Sequence, residues 1–514
     1  MNGAQALIRT LADAGVNVCF GNPGTSEMHF VAALDSVPQM RGVLALFEGV
    51  VTGAADGYAR MADKPAATLL HLGPGLANGL ANLHNARRAR TPIVNVVGDH
   101  AMYHKQYDAP LESDIEALSG TVGWTRTSTS VASLAQDAAD AIAAAQAGQV
   151  ATLILPADVS WSDGGEPVAA LPAPVRQVVE SNVVDAIVDV LKSGEPTVLL
   201  LGGVGTRERA LRAASRISQA TGAKLFAETF PARIERGAGV PTVERLGYLA
   251  EMVTYQLTDI RNIVLAGAKS PVSFFAYPGK ASDLVPDDAK VHVLAEPNAD
   301  IVAALEAVAD LVAPDVEPLL QEAKRPELPH GDLTPQNWVD VIGAELPEHA
   351  IIVDESNTSG LLLPTATVGA PRHDVLTLTG GAIGDGLPTA VGAAIACPDR
   401  PVICLQADGS AMYTASALWT MAREGLNVTT VVLANKSYAI LKLELQRVGA
   451  DAAGPKALDL LDLSRPDLDF VSLAASMGVP ATRATTVAEL AEQFRAAQGK
   501  PGPHLIEATV PSLF

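Results

Sequence analysis

Short apolar runs bounded by glycine or proline alternate with helix-length, alanine-rich segments along nearly the whole chain. Runs such as residues 93–97, 197–202 and 402–405 are almost entirely apolar, which is typical of strands that helices cover on both faces of a parallel sheet. Repeated strand–helix units of this kind indicate an α/β protein built from doubly wound domains with parallel sheets.

Two stretches rich in proline, residues 162–178 and 313–334, have the composition of linkers. The chain has 514 residues, which suits about three domains of ordinary size. We therefore predict three domains, over residues 1–165, 180–315 and 335–514.

The net charge of −21 disfavours nucleic acid and anionic membrane surfaces as partners, because both carry negative charge. No apolar run reaches the roughly 18 residues that a membrane span needs, and the N-terminus lacks the pattern of a signal peptide. The three cysteines lie far apart without CxxC spacing, which argues against a disulfide framework and a zinc site. These features predict a cytoplasmic protein.

The stretch from residue 402 to 441 carries the most specific chemistry in the chain. Its first apolar run ends in Ala407-Asp408-Gly409-Ser410, and its second ends in Asn435, 27 positions after Asp408. Ligands of parallel sheets bind at the carboxyl ends of the strands, so both side chains are expected at one edge. A carboxylate and an amide oxygen suit Mg2+, and the N–H groups of Gly409 and Ser410 can meet a phosphate. A plain Asp-Gly turn is the alternative.

The spacing of Asp408 and Asn435 resembles the signature of thiamine-diphosphate enzymes, in which Gly-Asp-Gly is followed at a similar distance by Asn. The chain departs from that signature at Ala407, which leaves the metal-binding aspartate in place. The resemblance implies that Asp408, Asn435 and the backbone carbonyl of Ser437 bind Mg2+. It further implies that this ion holds the diphosphate of thiamine diphosphate and that Tyr438 contacts the cofactor.

Thiamine chemistry needs a second carboxylate, which shares a proton with the aminopyrimidine ring and so activates the cofactor. Glu48 follows an apolar run over residues 43–47 and precedes a helix of small residues. The segment over residues 54–60 resembles the one that follows the catalytic glutamate of this family. Phe47 stands where relatives commonly have histidine, which predicts a drier pocket around Glu48. The alternative is a glutamate that only caps its helix.

In this family the first domain of one chain faces the third domain of another chain across the cofactor. The resemblance therefore makes residues 1–165 the pyrimidine-binding (PYR) domain and residues 335–514 the diphosphate-binding (PP) domain, with a central domain over residues 180–315. It implies a homodimer or homotetramer with active sites at the subunit interface.

The loop after the first predicted strand resembles one that lines the substrate pocket of acetolactate synthases and benzoylformate decarboxylases. By this resemblance Asn22 and Pro23 contact the cofactor, and Thr25 can hydrogen-bond a substrate carboxylate. A structural turn is the alternative.

His71 ends a predicted strand, at the place where benzoylformate decarboxylases have a histidine that transfers protons. We therefore name it the catalytic histidine, with a purely structural histidine as the alternative. His100 and His104 follow the next strand and are further substrate-side candidates.

Other cofactor contacts are implied by glycine-rich and polar turns in the third segment. The Gly381 carbonyl would accept a hydrogen bond from the 4′-amino group, and Ile383 would support the bent shape of the cofactor. Asn357 and Thr358 match a diphosphate-binding turn, and Ile440 is a candidate on the substrate side.

The resemblance implies an acetolactate synthase-like enzyme acting on a 2-oxo acid, which loses CO2. The remaining fragment is released as an aldehyde or joined to a second carbonyl compound, and the sequence leaves both outcomes open. FAD is unlikely, because residues 228–233 replace the flavin-binding loop of acetolactate synthases. Alternatives are a benzoylformate decarboxylase-like enzyme, a non-catalytic relative, and a nicotinamide-dependent dehydrogenase, for which residues 202–205 give a partial glycine motif.

Overall fold

The structure, a computed structural model, describes residues 1–450 and 454–513. Its strands fall into three sheets, and each sheet is drawn mainly from one of the three predicted segments. The strands are β1 Val18–Gly21, β2 Arg41–Leu44, β3 Ala66–Leu70, β4 Ile93–Asp99, β5 Gly123–Thr127, β6 Val150–Pro156, β7 Thr197–Leu201, β8 Lys224–Ala227, β9 Ile234–Arg236, β10 Glu244–Arg245, β11 Asn262–Ala266, β12 Lys290–Ala295, β13 Ile351–Glu355, β14 His373–Thr377, β15 Val402–Ala407, β16 Val428–Ala434, β17 Ala481–Ala484 and β18 His504–Thr509.

Helices connect the strands and cover both faces of the sheets. The helices are α1 Gly3–Asp13, α2 Met28–Leu34, α3 Glu48–Ala62, α4 Leu72–Ala89, α5 Ile115–Gly120, α6 Val131–Gln146, α7 Ala157–Trp161, α8 Ser181–Lys192, α9 Glu208–Thr221, α10 Ala250–Gln256, α11 Ile301–Val312, α12 Trp338–Glu345, α13 Leu363–Ala366, α14 Gly386–Ala396, α15 Asp408–Ala411, α16 Ala417–Glu424, α17 Ala439–Arg447, α18 Pro455–Asp459, α19 Phe470–Ser476 and α20 Val487–Gln498.

The strand order is β2-β1-β3-β4-β6-β5 in the first sheet and β10-β8-β7-β11-β12 in the second, with parallel pairing throughout both. The third sheet has the order β17-β18-β16-β15-β13-β14-β9. Reversals of strand order of this kind are the mark of doubly wound sheets. The prediction of an α/β fold with three such domains is confirmed.

One strand departs from the predicted pattern. β9 comes from the middle segment but pairs antiparallel with β14 at the edge of the third sheet. Its three residues are too few for a periodic signal, so this exchange between segments could not be predicted from the sequence. The limits 1–165, 180–315 and 335–514 remain our proposed domain boundaries.

The first and third segments share one hydrophobic core, in which α3 crosses α14 at very short range. A Cβ on Gly57 would come within 2.1 Å of the Thr389 carbonyl oxygen, and one on Gly392 within 1.9 Å of the Ala54 carbonyl oxygen. Glycine at both positions is what allows the two backbones to meet. Arg60 of α3 adds a polar contact, because its guanidinium donates to the Thr377 carbonyl at 2.7 Å.

Within the described ranges, no helix combines the length and the apolar character needed to cross a bilayer.

Candidate active site

The carboxyl edge of the first sheet places Glu48 at the start of α3, four residues after β2 ends. Its side chain is 7% exposed. Both carboxylate oxygens accept hydrogen bonds at 3.0 Å, Oε1 from the amide of Asn22 and Oε2 from the amide of Asn78. Phe47 at this position led us to expect a dry pocket, but two polar side chains contact the carboxylate. Their amides fix the direction in which the carboxylate points.

His71 is the residue before α4, directly after β3, and its ring is oriented by a buried carboxylate. Nδ1 of His71 lies 2.8 Å from Oε2 of Glu27, which also accepts the Gly24 N–H at 2.7 Å. Burial raises the pKa of Glu27, and these two contacts offset part of that rise. A Cβ on Gly24 would lie 2.3 Å from the imidazole, so the close approach of loop and ring requires glycine there.

The turn that follows His71 is strained. Leu72 has a φ of +49° although its side chain is large and fully buried. Backbone outliers of this kind persist where the surrounding packing enforces them, and they cluster at functional sites.

The histidines after β4 associate with each other. The rings of His100 and His104 lie 5.3 Å apart, and the ring of Tyr107 lies 5.9 Å from that of His104. Nε2 of His100 is buried and has no hydrogen-bond partner among the described residues. The structure therefore groups these two histidines one strand away from His71.

The carboxyl edge of the third sheet brings the predicted metal ligands together. β15 and β16 are adjacent and parallel, so Asp408 and Asn435 extend from neighbouring strand ends. The Asp408 carboxylate accepts the N–H groups of Gly409 at 2.8 Å and Lys436 at 2.6 Å. Burial raises the pKa of Asp408, while these donors lower it. A carboxylate, an amide oxygen and a nearby main-chain carbonyl at Ser437 form a hard-oxygen donor set that fits Mg2+.

Lys436 and Asn357 hold left-handed backbone conformations beside this donor set, with φ of +58° and +51°. The Asn357 amide donates to the Ser410 hydroxyl at 2.9 Å, which joins the ends of β13 and β15. Thr358 follows Asn357 in the same short turn, a 3-10 helix over Asn357–Gly360. The turn and the start of α15 thus lie together, as a diphosphate site requires.

Tyr438 packs its ring on Gly409, since a Cβ at Gly409 would come within 2.5 Å of that ring. Its backbone N–H donates to the Leu461 carbonyl at 3.0 Å. Ile440 lies in the first turn of α17 and is partly buried. A small residue at 409 is thus needed to bring the tyrosine against the predicted phosphate turn.

The loop between β14 and α14 carries Gly381 and Ile383. Gly381 has a φ of +75°, and a Cβ there would come within 2.6 Å of the ring of Phe274. Asn85 of α4 holds the same loop, because its amide donates to the Ala382 carbonyl at 2.8 Å and its Oδ1 accepts the Ala382 N–H at 3.2 Å. The loop is therefore fixed by the middle segment on one side and the first segment on the other.

The predicted site residues form two groups within one chain. Glu48 and His71 bond to side chains of the first segment, whereas Asp408 bonds to backbone groups of the third. Pro23 and Thr25 belong to the first group through the loop after β1, where Thr25 is exposed.

Two family models match this chain. The N-terminal TPP binding domain of thiamine pyrophosphate enzymes matches residues 1–120, and the C-terminal TPP binding domain matches residues 363–508. A protein described as “Putative acetolactate synthase large subunit IlvX” from Mycobacterium tuberculosis is 64% identical, with 100% of both chains covered. The chain belongs to the thiamine pyrophosphate enzyme family. The prediction of a thiamine-dependent enzyme is confirmed, and the dehydrogenase alternative is set aside.

More distant members of the thiamine pyrophosphate enzyme family also match over nearly the whole chain. The benzoylformate decarboxylase of Pseudomonas aeruginosa is 29% identical, with 98% of both chains covered. The large subunit of acetolactate synthase isozyme 1 from Escherichia coli is 23% identical, covering 99% of this chain and 94% of the relative. A solved 4-hydroxybenzoylformate decarboxylase from Rhodococcus jostii has a TM-score of 0.86 at 24% identity, with 99% of both chains covered, and supports the fold.

A cavity of about 1370 Å3 lies where the three segments of this family member meet. Residues 228–230, 232 and 233, from the segment expected to replace a flavin-binding loop, line part of it. Burial raises the pKa of Glu228 in this lining to about 7. The absence of FAD stays a prediction. The charged side chains of the lining are Arg60, Asp63, Arg87, Arg88, Arg90, Arg176, Arg207, Glu228, Arg233, Glu235 and Lys269.

The sequence reasoning missed the side chains that reach the site from helix α4. Asn78 holds Glu48, Asn82 donates to the Gly49 carbonyl at 2.8 Å, and Asn85 holds the glycine-rich loop. These asparagines recur at spacings of four and three residues, which places them on one face of a helix. This periodic polar face could have indicated from the sequence that α4 contributes to the site. For Glu27 the sequence offered no comparable signal beyond its position in a loop.

Proposed function

We propose that this protein is a thiamine-diphosphate- and Mg2+-dependent enzyme that removes CO2 from a 2-oxo acid. The remaining acyl fragment takes up a proton and is released as an aldehyde, or it is joined to a second carbonyl compound, as in an acetolactate synthase. The arrangement of Glu48 carries this proposal, because a buried carboxylate held by two amides suits proton exchange with a cofactor ring.

Asn22 and Asn78 each donate to one oxygen of Glu48, which leaves the remaining lone pairs to meet a ring nitrogen. The amides hold the carboxylate in one orientation and so lower the entropic cost of forming that contact. Bound thiamine diphosphate supplies a carbon nucleophile and an electron sink for decarboxylation.

At the other group, Asp408, Asn435 and the Ser437 carbonyl would hold Mg2+, and the turn containing Asn357 and Thr358 would face the diphosphate. Local donors matter here, because the chain carries a net charge of −21 and would otherwise repel the anion. Gly409 and Ser410 were both expected to add N–H donors, but the Gly409 N–H donates to Asp408 in this structure, so the proposal keeps the Ser410 N–H for the phosphate.

His71 is the proposed acid–base residue on the substrate side. Its contact with Glu27 leaves Nε2 as the nitrogen that faces away from the carboxylate, so Nε2 holds or delivers the proton. A quarter of the His71 side chain is exposed (25%), in keeping with access to a substrate. We assign His100, His104, Thr25 and Ile440 to the wider substrate side.

The two groups of residues serve one cofactor in this proposal, with the first domain of one protomer facing the third domain of its partner. A homodimer is then the smallest active unit, and a homotetramer is the alternative assembly. Cytoplasmic location is likewise proposed, from composition alone.

The direct test offers the purified protein thiamine diphosphate and MgCl2 with pyruvate, longer 2-oxo acids and benzoylformate in parallel. CO2, aldehyde and acyloin are measured in each reaction. We expect CO2 from at least one substrate, and the ratio of acyloin to aldehyde separates carboligase from simple decarboxylase. If the cofactor binds and no substrate is turned over, the proposed reaction is wrong and a non-catalytic relative remains.

The Glu48→Gln variant tests the role of the carboxylate in activating the cofactor, because it keeps the shape of the side chain and loses its charge. We expect exchange of the cofactor C2 proton to stop while Mg2+-dependent cofactor binding persists. Exchange at the wild-type rate would remove Glu48 from the role given to it.

A benzoylformate decarboxylase-like reaction is the second candidate, favoured by one observation. His71 follows a strand and is oriented by Glu27, which matches the place of the proton-transferring histidine expected from that branch. In this case benzoylformate yields benzaldehyde without acyloin, and His71→Ala slows aldehyde release.

A further inference from the structure

We infer that Glu355 is a positioning residue that fixes the glycine-rich loop carrying Gly381 and Ile383, and thereby sets how tightly the protein binds the aminopyrimidine half of thiamine diphosphate. This inference rests on the proposed function. The role falls outside the metal ligands and outside Glu48.

Glu355 is the last residue of β13 and is 2% exposed. Its carboxylate accepts three N–H donors within the third segment. Oε1 accepts the N–H of Gly384 at 2.7 Å, and Oε2 accepts the N–H of Gly386 at 2.6 Å. The third donor is the side-chain amide of Gln406, which reaches Oε2 at 2.9 Å.

All three partners are donors, so the surroundings fit an ionised carboxylate, which only accepts hydrogen bonds. Burial raises the pKa of Glu355, and the three donors act against that rise. Gly386 begins α14, so one donor also belongs to the positive end of a helix. A glutamine at position 355 would place its NH2 group against one or more of these N–H donors. Two buried donors would then face each other without an acceptor.

The peptide of Gly384 is held from both sides. Its N–H goes to Glu355, and its carbonyl accepts the Thr414 hydroxyl at 2.9 Å and the Asn82 side-chain amide at 3.3 Å. Gly384 has a φ of +94°, so the chain turns sharply directly after Ile383. Fixing this peptide therefore fixes the direction in which Ile383 leaves the loop.

Glu355 also joins the two halves of the third-segment site. Glu355 pairs with Gln406 in the register of β13 and β15, and Asp408 follows two residues later. One buried carboxylate thus ties the loop for the aminopyrimidine to the strand that carries the metal ligand. A helix cap without relation to the site would not need the contact with Gln406.

The test compares Glu355→Gln with wild type in calorimetric titrations of two ligands. These are thiamine diphosphate with MgCl2 and inorganic diphosphate with MgCl2. Losing charge-assisted bonds to the loop should raise the Kd of thiamine diphosphate by about 10- to 100-fold. The Kd of inorganic diphosphate should change less than about twofold, because that ligand meets Asp408 and the turn at Asn357 and Thr358, and the Glu355 carboxylate bonds instead to Gly384, Gly386 and Gln406.

If Glu355→Gln folds poorly, Thr414→Val is a second variant that weakens the hydrogen bonding of Gly384. It removes the shorter of two hydrogen bonds to the Gly384 carbonyl with little change of shape, and should show a smaller loss of the same selectivity. Glu507→Gln is the matched control, because Glu507 is a buried glutamate (5% exposed) that accepts a backbone N–H from Phe470 and pairs with Arg483, away from the loop. It should bind both ligands like wild type.

The inference is overturned if Glu355→Gln binds thiamine diphosphate as tightly as wild type, or if both ligands weaken equally. It stands if the loss is selective even when no 2-oxo acid is turned over, in which case only the proposed reaction fails. A wild-type protein that does not bind thiamine diphosphate would overturn both.

Discussion

The close crossing of α3 and α14 predicts that Gly57 and Gly392 affect both the stability of the protein and its affinity for thiamine diphosphate. Gly57→Ala would place a methyl group 2.1 Å from the Thr389 carbonyl oxygen, and Gly392→Ala would place one 1.9 Å from the Ala54 carbonyl oxygen. Both obstacles are backbone atoms inside a shared core, so neither can rotate away. The helices must move apart by roughly 1 Å to restore van der Waals contact.

Overpacking of a core costs about 1–3 kcal/mol, and backbone obstacles favour the upper end of that range. Alanine is the better helix former by about 1 kcal/mol, which offsets part of the cost. Each substitution should therefore destabilise the protein by about 2 kcal/mol. The double variant should lose less than the sum, because one separation of the helices relieves both clashes.

The assay is urea unfolding of each variant by tryptophan fluorescence, with the Kd of thiamine diphosphate measured beside it. Gly120→Ala is the control, since no heavy atom of the described residues lies within 4 Å of a Cβ there and Gly120 also ends a helix. Cofactor affinity should fall in the variants at 57 and 392, because α3 begins at Glu48 and α14 follows the glycine-rich loop. Variants as stable as Gly120→Ala would refute the reasoning.

Three buried carboxylates, those of Asp385, Asp408 and Glu27, give the remaining predictions. Burial raises the pKa of Asp385 to about 8, so its contribution to stability is complete below about pH 4 and is lost as the pH rises through about 8. Asp385→Asn should therefore gain Tm relative to wild type between pH 5 and pH 9, and a constant difference would contradict this. Asp408→Asn should weaken Mg2+-dependent thiamine diphosphate binding at least about 100-fold. Because burial raises the pKa of Asp408, calorimetry should show weaker Mg2+-dependent binding by wild type at pH 5 than at pH 8, and equal affinity would count against it. Glu27→Gln should lower kcat about tenfold with little change in KM, through misorientation of His71. The double variant with His71→Ala should be no slower than His71→Ala alone, and multiplied losses would argue for separate roles.

The proximity of Asp408 and Asn435 was predictable from the sequence. Buried parallel strands are recognisable as apolar runs, and their carboxyl ends lie at one edge of the sheet. The order of the strands and the partners of each side chain were not predictable in this way. Asn78 lies 30 residues from Glu48 and reaches it from a helix, and only the packed fold brings the two together.

Two strands, β14 and β2, have weak signals in the sequence for physical reasons. β14 begins with His373 and Asp374, which are untypical of a buried strand. In the fold Asp374 is buried and forms ion pairs with Arg233 and Arg400, so paired charge takes the place of apolar side chains. β2 is half exposed at the edge of its sheet, which weakens its apolar signal in the same way.

The pairing of β9 with β14 also bears on attempts to shorten the protein. Excising residues 180–315 to leave a minimal two-domain enzyme would remove β9 and strip β14 of its outer neighbour. The uncovered N–H and C=O groups of His373–Thr377 would then offer a template for strands of other molecules. By supplying β9, the middle segment covers the edge of β14. A shortened protein would need a replacement strand or a lysine on that edge to avoid aggregation.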